Sequence, residues 1–246
     1  MEKDRTTAIL STDSGMVALD SPVKLKILEL LSNGTKSFDE LVENSRKAKS
    51  TISVHLHDLE ELNLIEEKTF QNDKRKKYFV LNALYLAHSI PPSRNQYDKH
   101  LDNVATSVLN GNSFKEDLFC SFRYSMEAYG IDPQPILKRM GNDLGTKIGG
   151  GFKSRDYEGV LKELSFFWEH HKLGDMTVIE GKDLAILVNN CHHCSKMPAV
   201  GKTLCSMDEG IIEGIFSSKL DLDCNVKETE CCGTGHRHCK FVVEEK

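Results

Sequence analysis

A dense group of cysteines lies close to the C-terminus of this 246-residue chain. The stretch ETECCGTGHRHCKF, residues 228–241, holds three of the eight cysteines together with two histidines. Four more cysteines precede it, namely Cys191, Cys194, Cys205 and Cys224. Thiolates bind soft metal ions, and they are also the groups that form reversible disulfides. The residue types and their spacing therefore predict metal or redox chemistry near the C-terminus.

Static disulfides are the alternative explanation for so many cysteines, and the rest of the chain argues against them. Disulfide-dense proteins are usually short and secreted, because they cannot bury a large apolar core. This chain is 39% hydrophobic and long enough for two small cores. Its first residues contain no apolar run of signal-peptide length, and no stretch approaches the roughly 20 apolar residues of a membrane span. We therefore expect a cytoplasmic protein without a membrane partner, whose thiols are normally kept reduced.

Three predicted helices and a hairpin occupy the first part of the chain. Ser21 and Pro22 suit the N-cap and the first position of one helix. Ser37 and Glu40 have the spacing of a capping box at the start of a second helix, and a third begins near Ser50. Two β-like runs joined by a polar loop follow. This order predicts a winged helix-turn-helix, in which the third helix enters the major groove of DNA.

Small polar and basic residues mark the two elements that would meet DNA. The early residues of the third helix lie off its apolar stripe, where they suit base edges and phosphates. The hairpin loop carries four consecutive basic residues, which suit the phosphate backbone. The expected DNA-binding residues are Lys49, Ser50, Thr51, Ser53, Val54, His55, His57, Lys74, Arg75, Lys76 and Lys77. A winged helix used only for protein contacts is the alternative.

The remaining chain predicts a linker and a second domain. Ile90–His100 contains two prolines and no periodic apolar pattern, and Leu101–Leu109 after it suits a connecting or dimerising helix. Further helices then precede antiparallel strands, which indicates an α+β domain. The predicted domains are a winged helix-turn-helix over residues 1–88, a linker with a dimerisation helix over residues 89–112, and a cysteine-rich α+β sensor domain over residues 113–246.

The first domain resembles the ArsR-type winged helices of prokaryotic transcription regulators over about residues 17–85. The resemblance rests on SPVKLKILELL, KSTISVHLHDLEELNLI and KRKKYFVL. Metal-sensing members of that family carry a cysteine pair in this domain, whereas residues 1–119 of this chain contain no cysteine. The resemblance implies a homodimer that binds double-stranded promoter DNA, and it implies that any sensing resides further along the chain.

The second domain resembles the vinyl-4-reductase domain, a small sensor module. Its tail pattern is matched by Glu228, Cys231, Gly235 and Cys239, and Cys205 matches a further cysteine at the start of the preceding helix. Related sensor modules of phenol-responsive activators hold zinc through three such cysteines and an upstream acidic residue. The resemblance therefore implies a zinc site in this domain.

The acidic ligand of those modules has no clear counterpart in this chain. Glu180 and Asp183 lie nearby but belong to no recognisable motif, and Cys191 or Cys194 could supply the fourth ligand instead. The expected metal ligands are Cys205, Cys231, Cys239 and Cys194. The expected redox thiols are Cys191, Cys224 and Cys232. Zinc is the expected cofactor, and an iron–sulfur cluster also fits thiolate ligands.

Both domains together resemble the MsvR family of redox-responsive transcription regulators from methanogens. The resemblance implies an archaeal regulator that binds promoter DNA while its thiols are reduced and releases it when they are oxidised. The alternative is a regulator that senses a small hydrophobic ligand through the aromatics of FCSFRYS and SFFWEHH, while its cysteines hold only structural zinc. An enzyme is not expected, because the sequence has neither a phosphate-binding glycine loop nor a nucleophile–base motif.

Overall fold

Two compact units divide the chain between Pro133 and Gln134 in the computed structural model. The structure describes residues 7–70, 73–109, 114–179, 181, 184–192, 194–195 and 200–245, without the side chains of residues 70, 73–75, 108, 114–116 and 119. Both units combine helices with an antiparallel sheet, so the predicted α+β class is confirmed. Among the described residues, no helix has the length and apolar character needed to cross a bilayer.

The first unit contains the predicted winged helix-turn-helix. Its elements are β1 (Ala8–Thr12), β2 (Gly15–Leu19), α1 (Pro22–Ser32), β3 (Lys36–Ser37), α2 (Phe38–Ser45), α3 (Lys49–Glu61), β4 (Ile65–Phe70), β5 (Asp73–Leu81), β6 (Leu84–Ser89), α4 (Asn95–Leu109), α5 (Phe114–Ala128) and β7 (Ile131–Asp132). The wing is the antiparallel pair β4–β5, and β3 adds a third strand to it.

Local sequence signals account for the start of the first two helices. Ser21 is the N-cap of α1 and Pro22 its first residue, although the Ser21 side chain makes no capping hydrogen bond. The predicted capping box of α2 is confirmed, because the Ser37 N–H donates to Glu40 Oε2 at 2.7 Å and the Glu40 N–H donates back to Ser37 Oγ at 3.4 Å. The three helices enclose a core in which Ile27 is fully buried.

A second sheet of the first unit, in the order β2-β1-β6-β7, is absent from our sequence prediction. Its first hairpin turns between Thr12 and Gly15, where Thr12 Oγ1 donates to the Gly15 carbonyl at 3.1 Å. Ala8 and Leu10 alternate into the core of the winged helix. Two buried apolar positions within five residues are too short a pattern to separate a strand from a loop.

The first unit extends beyond the predicted boundary at residue 113. Helix α4 begins at Asn95, before the expected Leu101, and α5 packs against it. His100 Nε2 lies 2.9 Å from Ser121 Oγ, and the His100 and Tyr124 rings lie 4.9 Å apart. Strand β7 then pairs with β6. These contacts hold α5 in the first unit, whereas we had assigned it to the sensor domain.

The second unit is an antiparallel sheet with three helices. Its elements are α6 (Gln134–Gly150), α7 (Tyr157–His170), β8 (Asp175–Ile179), β9 (Leu184–Asn189), α8 (Ser206–Leu220), β10 (Cys224–Glu230), a 3-10 turn (Cys232–Thr234) and β11 (His238–Glu245). The strand order is β10-β11-β9-β8. Helix α8 begins after its N-cap Cys205, later than the expected Gly201.

Glycines allow α6 and α8 to approach each other at backbone distance. A Cβ atom at Gly145 would overlap the carbonyl oxygen of Ile211, and one at Gly214 would overlap that of Asn142. Only glycine has the size that this contact allows. The close packing fixes the position of α8 and therefore of the cysteine at its N-terminus.

Candidate functional site

Five cysteines from separate segments of the chain meet in the second unit. Cys191 and Cys194 lie in the loop after β9, Cys205 caps α8, Cys231 follows β10 and Cys239 lies on β11. Strand β11 lies between β10 and β9, so the sheet places three of these segments side by side. All five side chains are buried, with an exposed fraction of at most 1%.

The sulfur atoms of this cysteine cluster are close but not bonded. Cys194 Sγ lies 3.1 Å from Cys239 Sγ, and Cys205 Sγ lies 3.7 Å from both Cys191 Sγ and Cys239 Sγ. A disulfide requires about 2.04 Å, so these are free thiols. Sulfur ligands of a tetrahedral zinc ion, each about 2.3 Å from the metal, lie roughly 3.8 Å apart. The cluster therefore has dimensions close to those of a thiolate metal site.

Two overlapping groups of four ligands can be drawn in the cluster, and within each group the ligand atoms all lie within 4.8 Å of one another. The four-thiol group is Cys191, Cys194, Cys205 and Cys239. The glutamate group is Cys205, Glu228, Cys231 and Cys239. Either set suits zinc, because thiolate and carboxylate ligands in fours are typical of that ion.

Glu228 is a candidate metal ligand that the sequence analysis did not include among the expected ligands. It is 2% exposed, and its Oε2 accepts the N–H groups of Leu204 and Cys205, each at 2.9 Å. Its Oε1 is buried without a hydrogen-bond partner among the described residues. Burial, followed by the negative charge of Cys231, raises the pKa of Glu228 to about 8. A buried carboxylate oxygen in this position fits a cation.

The thiols of the cluster differ in acidity. Hydrogen bonds from neighbouring thiols, Cys194 first, lower the pKa of Cys191 and of Cys231. The pKa values of Cys194, Cys205 and Cys239 are raised, primarily by their hydrogen bonds with Cys191. The metal-free cluster therefore shares a few protons among several sulfur atoms. A metal ion would replace those protons, which couples its binding to pH.

The turn between β10 and β11 holds Cys231 in place. The Cys231 N–H donates to Thr234 Oγ1 at 2.9 Å, and Cys231 Sγ accepts the N–H of Gly233 at 3.4 Å. A side chain at Gly233 would overlap the carbonyl oxygen of Lys202, and Gly235 has φ of 90°. Gly233 and Gly235 are therefore needed for the tight turn between Cys231 and Cys239.

The remaining cysteines and acidic residues predicted for the site differ in whether they belong to the two ligand groups. Cys191, which we expected to be a redox thiol, belongs to the four-thiol group. Cys224 is buried on β10 and Cys232 is half-buried in the 3-10 turn, and neither belongs to the two groups. Glu180 and Asp183 lie outside the described residues.

Asp208 is a second acidic residue that sequence reasoning missed. It lies in the first turn of α8, is 1% exposed, and its Oδ2 is 4.0 Å from Cys191 Sγ. Its position three residues after the N-cap Cys205 was the available signal, because acidic residues are favoured in the first helical turn.

The predicted DNA-binding residues of α3 lie off its buried stripe of Ile52, Leu56 and Leu59. Thr51 and His55 are half-buried. The exposed members are Lys49, Ser50, Ser53, Val54 and His57. On the wing, Lys76 and Lys77 are exposed, and the side chains of Lys74 and Arg75 lie outside the described residues.

Two of these basic residues have acidic partners. Lys49 Nζ lies 2.9 Å from Asp39 Oδ1, and Lys77 Nζ lies 2.7 Å from Glu67 Oε2. The hydrogen bond to Glu67 raises the pKa of Lys77. Both pairs are exposed and therefore weak, so exchanging a carboxylate for a DNA phosphate costs little.

Two family models match the chain in the order that its two units suggest. Residues 21–67 match the family "Bacterial regulatory protein, arsR family", and residues 184–245 match the vinyl-4-reductase domain. The chain therefore carries a segment similar to ArsR-type helix-turn-helix regulators, followed by a segment similar to the vinyl-4-reductase domain. This pairing confirms the predicted fusion of the two domains and is consistent with an MsvR-like regulator.

Two uncharacterized proteins of Methanocaldococcus jannaschii are similar to this chain in sequence. The first is 29% identical over 136 residues, which cover 54% of this chain and 78% of the relative. The second is 32% identical over 114 residues, which cover 46% of this chain and 66% of the relative.

Two solved structures resemble the chain distantly. A vinyl-4-reductase family protein from M. jannaschii is 18% identical, with 45% of this chain and 68% of that chain covered and a TM-score of 0.37. The phenol-responsive sensory domain of the transcription activator PoxR, with phenol, is 13% identical, with 80% and 90% covered and a TM-score of 0.37. At these TM-scores the likeness carries no further information about this chain.

Proposed function

We propose that this chain is a redox-responsive transcription regulator that binds promoter DNA while its clustered thiols are reduced and releases it when they are oxidised. The observation that carries the proposal is the convergence of five buried cysteines in a chain that also has an ArsR-type helix-turn-helix. The domain architecture is that of a regulator, and we assign it no catalytic step.

Zinc fits the cluster as a resident metal, because the ligands are thiolates and a carboxylate at distances that suit tetrahedral binding. When bound in the four-thiol group, an ion would supply positive charge and link the loop after β9, the start of α8 and β11. In the glutamate group it would instead link the start of α8, β10, the β10–β11 turn and β11. The protein's own residues orient the ligands, chiefly through the N–H groups that bind Glu228 and Cys231.

Oxidation would remove charge and ligands together. Two thiols that react with one molecule of hydrogen peroxide form one S–S bond, lose two electrons and two protons, and convert the hydrogen peroxide into two waters. Cys194 Sγ and Cys239 Sγ, 3.1 Å apart, need to approach by only about 1 Å to reach bonding distance. The disulfide no longer binds a metal as the thiolates do, so the segments held by the cluster are free to rearrange.

Cys224 and Cys232 remain in this proposal as redox thiols outside the ligand set. Cys232 is half-buried, whereas the other C-terminal cysteines are buried. Its accessibility favours reaction with an oxidant, while burial raises its pKa and reduces the fraction present as thiolate. Cys232 is therefore better suited to form a disulfide with a neighbouring cysteine that is already oxidised than to be the thiol that the oxidant attacks first.

We also propose that the regulator acts as a homodimer. Helix-turn-helix proteins of this kind read two half-sites about 34 Å apart, which a dimer matches. Helices α4 and α5 expose apolar side chains that a second copy would cover, among them Leu101, Leu109, Leu118 and Phe122. Sedimentation at micromolar concentration should give a dimer without DNA, and a monomer would contradict this part of the proposal.

The redox proposal is tested by DNA binding with and without peroxide, combined with metal content, for single Cys→Ser variants at all eight cysteines. Loss of Cys224 or Cys232, the redox thiols outside the ligand groups, should leave DNA binding intact and make it less sensitive to peroxide. Loss of Cys194 or Cys239 should in addition lower the metal content. Cys120→Ser is the matched control, because this cysteine lies on α5 in the other unit. If peroxide leaves wild-type DNA binding unchanged, the redox proposal is wrong, and a regulator that senses a small hydrophobic ligand takes its place.

The DNA interface is tested by replacing Lys74, Arg75, Lys76 and Lys77 together with alanine. Log affinity falls with log salt concentration, with a slope of about -0.9 for each phosphate contact. The loss of up to about four contacts should therefore make the slope less steep by up to roughly 3.6. Thr51→Ala should instead relax sequence preference. Lys162→Ala, on the exposed face of α7, controls for the loss of one positive charge outside the proposed interface. Wild-type affinity and slope in the quadruple variant would exclude the proposed docking.

A further inference from the structure

We propose that the cysteine cluster binds two divalent thiophilic ions, with the thiolates of Cys205 and Cys239 bridging between them. This inference rests on the proposed metal binding and deepens it. It does not depend on whether oxidation releases DNA. The chemical class is that of zinc, with six ligands for two ions.

The way in which the two ligand groups overlap carries the inference. The four-thiol group and the glutamate group have Cys205 and Cys239 in common, and the Sγ atoms of these two lie 3.7 Å apart. Each group is a full set of four ligands, which is the number that a tetrahedral ion requires. Thiolate sulfur has enough lone pairs to bind two ions at once. Two sets that share a pair of thiolates therefore describe two ions with two bridges.

A single ion would leave part of this buried site unused. An ion in the four-thiol group alone would leave Glu228 Oε1 buried without a partner among the described residues. An ion in the glutamate group alone would leave Cys191 and Cys194 as unligated thiols, although both are at most 1% exposed. Two ions use all six side chains, and buried polar groups in native proteins are normally satisfied.

Charge favours the same stoichiometry. Five thiolates and one carboxylate carry six negative charges when all are ionised. One divalent ion reduces this to a net charge of -4, and two reduce it to -2. Uncompensated charge is costly in a buried site. Cys205 also caps α8, so one bridging sulfur lies at the positive end of a helix dipole, which stabilises the remaining negative charge.

The ligand assignment predicts which substitutions remove one ion and which remove both. Cys191→Ser and Cys194→Ser each disrupt only the four-thiol group, whereas Glu228→Gln disrupts only the glutamate group. Cys205→Ser removes a bridge and should lose both ions. Cys224→Ser is the matched control, because this buried cysteine of the same unit belongs to neither group.

The experiment is zinc titration into the reduced, chelator-stripped full chain, followed by elemental analysis after removal of free metal. We expect two zinc ions per chain in wild type and Cys224→Ser, and one in Cys191→Ser and Glu228→Gln. After loading with ¹¹³Cd, the wild type should give two cadmium resonances and each single-group variant one. Fluorescence of Trp168, which is fully buried in this unit, reports whether a variant is folded.

Each other outcome overturns the proposal in a recognisable way. One zinc and one cadmium resonance in the folded wild type would refute the second ion and leave the proposed metal-binding regulator intact. No bound metal would refute both. Two ions that persist in folded Cys191→Ser and Glu228→Gln would refute the ligand assignment. Iron with acid-labile sulfide in the anaerobically purified chain would show an iron–sulfur cluster in place of the two zinc ions. If Glu228→Gln does not fold, the zinc content of Cys191→Ser and Cys194→Ser tests the assignment through the four-thiol group.

Discussion

Replacing Glu228 with glutamine should stabilise the metal-free, reduced protein at pH 8. Glu228 is buried, and its pKa is raised from the ordinary 4.5 to about 8, chiefly by burial and then by the charge of Cys231. The folded protein therefore keeps a proton that the unfolded chain has released between these two pH values. The resulting stability is fully present below pH 4.5 and is lost as the pH rises through 8.

The size of this effect follows from the two pKa values. Their difference of about 3.5, at about 1.36 kcal/mol for each factor of ten, gives an upper bound of roughly 5 kcal/mol. Glutamine carries no charge at any pH, and its oxygen can accept the N–H groups of Leu204 and Cys205 as Glu228 Oε2 does. The variant should therefore match the wild type near pH 4.5 and exceed its stability at pH 8 by up to about 5 kcal/mol.

The assay is urea unfolding in chelator and reductant at pH 5 and pH 8, followed by the fluorescence of Trp168, the single tryptophan of the chain. The cysteines titrate in both proteins, so the difference between them isolates Glu228 to a first approximation. Added zinc should reverse the order, because a neutral amide is a weaker ligand than a carboxylate. A metal-free variant that is less stable than the wild type at pH 8 would refute this reasoning.

Gly145→Ala should lower the free energy of unfolding by about 1–3 kcal/mol or more in a thermal unfolding assay, because its Cβ would overlap the Ile211 carbonyl oxygen. Gly150→Ala is the control, because Gly150 has open space around it, and it should raise the free energy of unfolding by up to about 1 kcal/mol in the same assay. Ser37→Ala should lower the free energy of unfolding of the first unit by about 1 kcal/mol, because it removes the capping box of α2. Urea unfolding measures this change, and an unchanged midpoint would contradict the prediction. Cys231→Ser should lower zinc content and melting temperature together, and a fall in only one would argue against a structural metal.

The fold was predictable where local signals were strong and consistent. The apolar stripe of α3 and the capping box of α2 placed the winged helix correctly, because helical periodicity over three turns is hard to mimic by chance. The β1–β2 hairpin escaped prediction because its burial depends on pairing with β6, which lies far along the chain. Helix α5 packs within the first unit, whereas the sequence analysis placed it after residue 113, because its packing partners are not determined by its own sequence.

The candidate site was predictable in its composition but not in its grouping. Clustered cysteines near the C-terminus were visible from spacing alone. Which sulfurs lie together depends on the β9–β11 register and on the loop that returns from β9 to α8. Glu228 was not predicted as a candidate ligand, because a glutamate on a strand is ordinarily exposed. Here, a register shift between Glu228 and Glu230 and two backbone N–H donors accompany its burial.

The packing of the second unit links the cluster to the two helices α6 and α8. Cys205 caps α8, and α8 rests on α6 with glycines at the contact, so neither helix can turn in place without a backbone clash. Close-packed elements shift as bodies rather than deform continuously. Helix α6 begins directly after Pro133, where the two units divide. A change of ligands at Cys205 that moves α8 should therefore move α6, the first element of the second unit.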